Sequence, residues 1–222
     1  MNYYSEKDIQ DIVAGVLART GLAAGQPQQE EMEIPVEISA RHVHLSKADV
    51  ETLFGKGYSL TRKRDLSQPG QYLCEERVKL VTEQGQIASV AVLGPERSDT
   101  QVELSLSDAR PLGLKPPIRL SGDLSGACDV IIVGPKGVVT ARGSVIVAKA
   151  HIHMTPQDAR HYGVSDGDTV SIRLGQERSI TLNDVLIRVS PQFGLAVHID
   201  FDEANAAQVG GSNIVGKLIK SR

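Results

Sequence analysis

Two His-x-His pairs are the residues of this chain best suited to metal chemistry. His42 and His44 form one pair, and His151 and His153 form the other. Side chains two positions apart in a β-strand lie on the same face, so each pair could bind one ion through both imidazoles. A single strand histidine is more often an ordinary polar residue, and His161, which lies outside the pairs, is interpreted in that way. The repetition therefore predicts metal binding.

Each pair belongs to a pattern that occurs four times. A His or Glu is followed by an apolar residue, then by Ser, Thr or Asp, and three residues later by an acid. This last spacing is that of a capping box, in which the first polar side chain caps a helix and the acid reaches back. Each ligand candidate is therefore expected at the end of a strand, two residues before a helix. The four segments are residues 42–49, 103–109, 151–159 and 198–204.

The recurrence also predicts two similar halves that face each other across one cleft. Sequence order favours a partition in which Glu103 completes one site and His198 the other, although order alone leaves the partition open. Three protein ligands with open positions are typical of catalytic rather than structural zinc. The predicted ligands are His42, His44 and Glu103 for one ion and His151, His153 and His198 for the second.

Four further polar residues are candidates for substrate contacts. Arg97 is predicted in a turn, Gly94–Arg97, shortly before the strand that ends at Glu103. Its planar guanidinium matches phosphate oxygens, so an arginine near two dications suggests an oxyanion substrate. Ser39 and Arg41, which flank the first histidine pair, and Ser121 are lesser candidates, for which ordinary turn and cap chemistry is an equally good explanation.

Composition excludes several classes of protein. The chain has 222 residues, 41% of them hydrophobic, and a formal net charge of −3, which gives no general attraction to nucleic acid or anionic membranes. No apolar run approaches the roughly 20 residues of a membrane span, and no signal-peptide profile is present, so a cytosolic setting is expected. Cys74 and Cys128 are isolated, and two free thiols are a better interpretation than a disulfide, which stays open.

The first 33 residues differ from the rest of the chain. Residues 1–20 predict an amphipathic helix with a single apolar stripe, and residues 21–33 predict a flexible linker because they offer little to bury. A helix this short needs a partner surface. It could pack on its own domain, but the linker favours a docking tag.

From residue 34 onward the chain predicts mainly short strands, separated by Gly, Pro and Asp, with few and short helices. This pattern is typical of β-barrels or a sandwich with capping α-helices rather than of alternating βαβ units. The predicted strands are Val36–Ser39, Val78–Val81, Ala88–Leu93, Thr100–Leu104, Ile118–Leu120, Val130–Val133, Ser144–Val147, Thr169–Leu174, Val185–Val189 and Leu195–Ile199.

The chain has no Walker-type glycine loop and no G-x-S-x-G nucleophile elbow. A bound dication can polarise a carbonyl, orient an anion or generate hydroxide. The residues therefore predict metal-assisted transfer or hydrolysis at a carbonyl or phosphoryl centre.

Several segments together resemble a known family, the PduL-type phosphate propanoyltransferases, which are phosphotransacylases associated with bacterial microcompartments. The likeness covers roughly residues 34–220, and the joint occurrence of its motifs is highly specific. The segments that carry it are residues 39–46, 66–72, 93–105, 119–122, 150–156 and 197–206.

The resemblance implies two β-barrel domains, the first from residues 34–40 and 149–220 and the second from residues 41–148. It implies two Zn2+ ions per chain, held by the same six ligands, and a phosphate contact at Arg97. The reaction would convert acyl-CoA, with a propanoyl or acetyl group, and phosphate into acyl phosphate and coenzyme A by direct attack. No motif marks the coenzyme A site, and Arg62–Arg64 is a loop candidate for its phosphates.

The resemblance also implies a location and partners. Residues 1–20 are similar to encapsulation peptides, which would direct the chain to shell proteins and into the lumen of a bacterial microcompartment. Self-association into a homo-oligomer is expected from exposed barrel edges and the helix. Two alternatives stay open: a zinc-dependent hydrolase of thioesters or phosphate esters, and a non-catalytic scaffold with structural metals.

Overall fold

A computed structural model describes residues 32–211 and 213–219. The predicted N-terminal helix lies outside the described residues, and so does the predicted linker up to residue 31. The last two linker residues belong instead to the first strand, which begins at Met32 because alternating apolar residues already start there.

Fourteen strands and four short α-helices make up the described chain. The strands are β1 Met32–Ser39, β2 His42–Ser46, β3 Arg62–Asp65, β4 Tyr72–Val81, β5 Gln86–Arg97, β6 Gln101–Glu103, β7 Ile118–Arg119, β8 Cys128–Val133, β9 Val138–Ala148, β10 His151–Met154, β11 Thr169–Leu174, β12 Ile180–Val189, β13 Ala196–Asp200 and β14 Val215–Ile219. The helices are α1 Lys47–Phe54, α2 Leu106–Ala109, α3 Pro156–Tyr162 and α4 Phe201–Ala206, and a 3-10 turn at Arg110–Leu112 follows α2.

The first barrel is closed by six strands in the order β1-β13-β10-β12-β11-β14. Its strands come from both sides of the second barrel in the sequence. Branched apolar side chains such as Ile34, Ile152, Ile172 and Ile187 are fully buried in it. Burial of this kind is the main stabilising contribution to a small barrel.

The second barrel is also a ring of six strands, β4-β5-β2-β6-β9-β8, because β8 pairs with both β9 and β4. Strands β3 and β7 extend it at the edges. The mainly β architecture of two barrels with short helices is therefore confirmed. The domain boundaries at residues 41 and 149 stay a prediction.

Equivalent strands occupy equivalent places in the two barrels. β2 pairs in parallel with β5 and antiparallel with β6, as β10 does with β12 and β13. A helix follows each of the four strands β2, β6, β10 and β13, as predicted. The caps are Ser46, Ser105, Thr155 and Asp200, each of which accepts a hydrogen bond from the third helical N–H.

Two simpler expectations concern redox state and membranes. Cys74 and Cys128 are free thiols, as predicted. Within residues 32–211 and 213–219, no helix has the length and apolarity to cross a membrane.

Candidate active site

The Glu103 group consists of His42, His44 and Glu103. His42 lies directly opposite Glu103 in the antiparallel pairing of β2 with β6, so the three side chains share one face of the sheet. His42 Nε2 is 3.5 Å from Glu103 Oε2. One ligand atom from each residue lies within 4.8 Å of the others, so the group could hold a single metal ion.

The His198 group consists of His151, His153 and His198. His151 lies opposite His198 in the antiparallel pairing of β10 with β13, in the same register as His42 and Glu103. The ring centroid of His198 is 5.0 Å from that of His151 and 4.7 Å from that of His153. One ligand atom from each residue again lies within 4.8 Å of the others.

Backbone carbonyls fix the first histidine of each pair. His42 Nδ1 is 2.8 Å from the carbonyl oxygen of Ala40, and His151 Nδ1 is 2.8 Å from that of Lys149. A hydrogen bond from Nδ1–H sets the tautomer that leaves the Nε2 lone pair free for a metal.

The second histidine of each pair carries buried nitrogens without a hydrogen-bond partner among the described residues. These atoms are His44 Nδ1 and both ring nitrogens of His153. A buried polar atom left unpaired costs about 1–3 kcal/mol. A cation would satisfy one nitrogen of each ring, the one that carries the lone pair, so the residues fit a metal ion in each group.

Burial keeps the imidazoles in the neutral form that binds metals. Burial and the neighbouring His42 lower the pKa of His44 to about 2. Burial and the other two histidines of its group lower the pKa of His153 to about 2, and burial with His151 lowers the pKa of His198 to about 3. All three rings are therefore ready to donate lone pairs at neutral pH.

Both groups line one cavity of about 390 Å³. The predicted residues Arg97, Ser39 and Ser121 also line it, so the structure brings every predicted site residue together. The cavity wall includes Gln68, Gln71, Arg188 and Phe193 as well. A cleft that combines two cation sites with arginines is suited to an anionic substrate.

Arg97 is in a strand rather than in the predicted turn. It is the last residue of β5 and lies opposite Ser46 on β2. The Gly94-Pro95 sequence suggested a turn, but an irregularity in the pairing of β2 with β5 accommodates the proline and the pairing resumes beyond it. Arg97 donates a hydrogen bond of 3.2 Å to Ser121 Oγ, which directs it into the cavity beside the Glu103 group.

A family model described as phosphate propanoyltransferase matches residues 35–210. The chain belongs to this family. It is 46% identical over 215 residues to the phosphate propanoyltransferase of Alkaliphilus metalliredigens, covering 97% of this chain and 99% of the relative. It is 47% identical over 215 residues to the phosphate propanoyltransferase of Clostridioides difficile, again covering 97% of this chain and 99% of the relative. It is 50% identical over 188 residues to the phosphate propanoyltransferase of Thermotoga maritima, covering 84% of this chain and 90% of the relative. The resemblance noted in the sequence is confirmed, and the chain is an acyltransferase.

Three residues that line the cavity of this member of the phosphate propanoyltransferase family were not predicted from the sequence: Arg188, Phe193 and Gln68. Arg188 lies opposite His153 in the parallel pairing of β10 with β12 and is 5.7 Å from the ring centroid of Phe193, which stacks on His153. Gln68 Nε2 lies 3.2 Å from His198 Nε2 and donates to the Gly194 carbonyl oxygen. Only Gln68 left a signal, because it falls in one of the segments that carry the family resemblance.

The basic run Arg62–Arg64 forms part of strand β3 and not a loop. Arg62 pairs with Asp65, and Lys63 Nζ is 2.9 Å from Glu75 Oε2. Arg64 lines the cavity. Arg64 is therefore the residue of this run that contributes a cation to the cavity wall, and an irregularity in the pairing of β3 with β4 separates it from Arg62.

Proposed function

We propose that this acyltransferase converts acyl-CoA and inorganic phosphate into acyl phosphate and coenzyme A, reversibly, at a dinuclear zinc site. The observation that carries the proposal is the convergence of two three-residue ligand groups and four arginines on one cavity. The names of the relatives favour a propanoyl group, and an acetyl group is the alternative acyl chain.

Two Zn2+ ions would bind to the six residues of the Glu103 and His198 groups. When bound, they would supply Lewis acidity for the phosphate oxygens and for the developing negative charge on the thioester oxygen. The neutral histidines provide the lone pairs, and Glu103 provides the single anionic ligand. The tautomers set by the Ala40 and Lys149 carbonyls hold two of the rings in the ligand orientation.

The phosphate would be held by Arg97 and Arg188. Arg97 is next to the Glu103 group, and Arg188 lies beside His153 of the His198 group. Two guanidinium groups on opposite halves of one cavity can aim phosphate at the electrophilic carbonyl carbon of the thioester and neutralise part of the phosphate charge. Ser121, hydrogen-bonded to Arg97, would keep that guanidinium in place.

The acyl-CoA would enter along the side of the cavity formed by Ser39 and Arg64. Ser39 is the last residue of β1, and we assign it to the thioester end of the substrate. Arg64 is the candidate for the phosphates of coenzyme A. A phosphate oxygen would form the new bond to the carbonyl carbon, and the carbon–sulfur bond would break to release the coenzyme A thiolate. A thiol pKa of about 8.5 makes this leaving group stable with little acid help.

Thiol release from propanoyl-CoA by the zinc-loaded protein, with and without phosphate, tests the proposal. We expect release only when phosphate is present, together with an equal amount of acyl phosphate. Equal release without phosphate would identify a metallohydrolase instead, in which water replaces phosphate as the nucleophile. A ping-pong rate law with an isolable acyl-enzyme would contradict direct attack.

We also propose, from the sequence pattern, that residues 1–20 dock the enzyme to shell proteins in the lumen of a bacterial microcompartment. A chain that begins at residue 32 should keep its turnover but no longer co-sediment with shells. Loss of turnover in the shortened chain would contradict a pure docking role. Homo-oligomer formation stays a prediction that light scattering of the same two chains can test.

A further inference from the structure

Gln101 is a buried polar residue of the cavity region to which the proposed reaction gives no role. It lies on β6, two residues before Glu103, and only 2% of its surface is exposed. A buried side-chain amide needs partners for its two N–H donors and its oxygen. The partners of Gln101 therefore indicate what it does.

Every polar group of this amide is engaged. Gln101 Nε2 donates to Glu103 Oε1 at 2.5 Å and to Ser121 Oγ at 3.0 Å. Gln101 Oε1 accepts a hydrogen bond of 2.8 Å from the Gly122 N–H. Because Gly122 requires an acceptor and Glu103 requires a donor, these contacts allow only one orientation of the amide.

The contact with Glu103 leaves the two carboxylate oxygens in different roles. Oε1 is occupied by Gln101, while Oε2 is the oxygen that lies 3.5 Å from His42 Nε2. The carboxylate is thus held with one oxygen facing the ligand cluster. A partner that orients a ligand carboxylate typically changes metal affinity or activity by about 10–100-fold when it is removed.

The same amide reaches Arg97 through one hydroxyl. Ser121 Oγ accepts from Gln101 Nε2 and from Arg97, and Ser121 also hydrogen-bonds Glu103. The metal ligand and the arginine therefore share a single set of hydrogen bonds.

At the place that Gln101 takes in the Glu103 group, the His198 group has an alanine. In the pairing of β2 with β6, Gln101 lies opposite His44, and Ala196 occupies the corresponding place opposite His153. His198 is contacted from elsewhere, by Gln68 and by Glu37, whose Oε2 lies 3.7 Å from His198 Nδ1. The chain therefore offers its own comparison for the effect of Gln101.

We propose that Gln101 is a positioning residue that orients Glu103 as a metal ligand and, through Ser121, couples that ligand to the phosphate-binding Arg97. The inference rests on the dinuclear phosphotransacylase proposed above. It predicts that Gln101 acts on the Glu103 group and on phosphate, and leaves the His198 group unaffected.

Zn2+ titration of single-group variants is the decisive experiment. In a His198→Ala background, only the Glu103 group remains complete, and Gln101→Met should weaken Zn2+ binding roughly 10-fold. In a Glu103→Ala background, only the His198 group remains complete, and the same substitution should leave Zn2+ affinity unchanged. Equal weakening in both backgrounds, or no weakening in the first, overturns the inference.

Kinetic measurements separate the effect of Gln101 on Glu103 from its effect on Arg97 through Ser121. In the otherwise native enzyme, Ser121→Ala removes the partner of Arg97 and should mainly raise KM for phosphate, with a smaller loss of Zn2+ affinity than Gln101→Met, which should change both. If Gln101→Met altered neither KM for phosphate nor Zn2+ affinity, Gln101 would only fill space.

The Glu103→Ala background also guards against loss of folding, because a Gln101→Met chain that still binds Zn2+ at the His198 group is folded. Loss of Zn2+ binding at both groups would therefore contradict the inference. Absence of Zn2+ binding by the unsubstituted protein would instead refute the proposed metal centre, so the two failures are distinguishable.

Discussion

The Glu103 group and the His198 group are built on the same scaffold. Each uses a His-x-His strand with a parallel neighbour on one side and an antiparallel neighbour on the other. The third ligand lies in the same register, and the first histidine of each pair bonds a carbonyl two residues earlier at 2.8 Å. Strand pairing therefore fixes where the ligands are, independently of which ligands they are.

The groups differ in charge. Glu103 is anionic, because its pKa, which burial alone would raise, is lowered to about 2 by His42, His44, the hydrogen bond with Ser121, and Arg97. The His198 group has three neutral imidazoles, since burial lowers the pKa of each. A dication would thus keep a net charge of two with the His198 group and of one with the Glu103 group. The two halves repeat a geometry but offer unequal attraction to anions.

Loss of one ligand in either group should have the largest effect. His44→Ala and His153→Ala each leave two ligands, so we expect bound zinc to fall by one ion per chain and turnover to fall at least about 100-fold. Zinc content and thiol release measure both. His161→Ala is the matched control, because His161 is exposed on α3 and belongs to neither group. Full activity of either ligand variant would show that only one group is catalytic.

Exchange of the third ligand should remove the difference in charge. His198→Glu gives both groups the same composition, so the cavity should attract phosphate less strongly and KM for phosphate should rise roughly tenfold. The control is His198→Gln, which alters the ligand without adding a charge. If both substitutions raised KM for phosphate equally, ligand geometry rather than charge would account for the change.

The local sequence was sufficient to predict the four strand-to-helix segments and the six ligand candidates, whereas their division into two groups, which sequence order only favoured, depends on strand pairing between distant segments. Ligand and cap lie within a few residues of each other in every segment, so neighbouring residues determine the arrangement. Arg188 was not predictable, because strand pairing alone brings it opposite His153. Gln101 looked like any polar strand residue until its contacts with Ser121 and Glu103 were known.

Strand limits were predicted less well than strand positions. The predicted strand Ser144–Val147 is only the end of β9, which starts at Val138. The earlier part of β9 contains exposed and glycine positions, and long-range pairing with β8 keeps it extended. Pairing partners distant in sequence override weak local propensity in such segments.

Glu203 lies in α4, the helix that follows the His198 strand, and should make the free energy of unfolding depend on pH. Burial raises the pKa of Glu203 to about 7 from its ordinary value of 4.5. The folded chain therefore binds more protons than the unfolded chain between those values, and stability falls as pH rises through this window. Because glutamine also serves in a capping box, Glu203→Gln should keep the contact with the Asp200 N–H and lose the pH dependence.

Urea unfolding of both metal-free proteins at pH 5 and pH 8 measures this effect. The unsubstituted protein should lose stability relative to Glu203→Gln over that interval, on the order of 1 kcal/mol for a partly exposed carboxyl. Both proteins contain the same histidines, so histidine titration changes the stability of both equally and does not affect the difference between them. Identical pH dependence of the two would mean that Glu203 ionises normally in the folded chain.

The capping boxes show a second difference between the barrels, and the expected difference between their caps, about 0.5 kcal/mol, is the smallest of these effects. In the first barrel, Thr155 and Asp158 close a complete box, and Thr155 Oγ1 also donates to the Asp158 carboxylate at 2.7 Å. In the second barrel, Ser46 caps α1, but the Asp49 carboxylate accepts instead from the Thr100 hydroxyl. In the second barrel the Asp49 carboxylate therefore binds Thr100, which is distant in sequence, and not the Ser46 backbone N–H.

Thr155→Ala should therefore lower the free energy of unfolding by about 1.5 kcal/mol and Ser46→Ala by about 1 kcal/mol, since the first loses a donor as well as the cap acceptor. Urea unfolding of each variant gives these values, with Thr155→Ser as the control that keeps the hydroxyl. A larger loss for Ser46→Ala would mean that the network through Thr100 depends on the cap as well. The Asp49 carboxylate would then stabilise the second barrel more than a closed box stabilises the first.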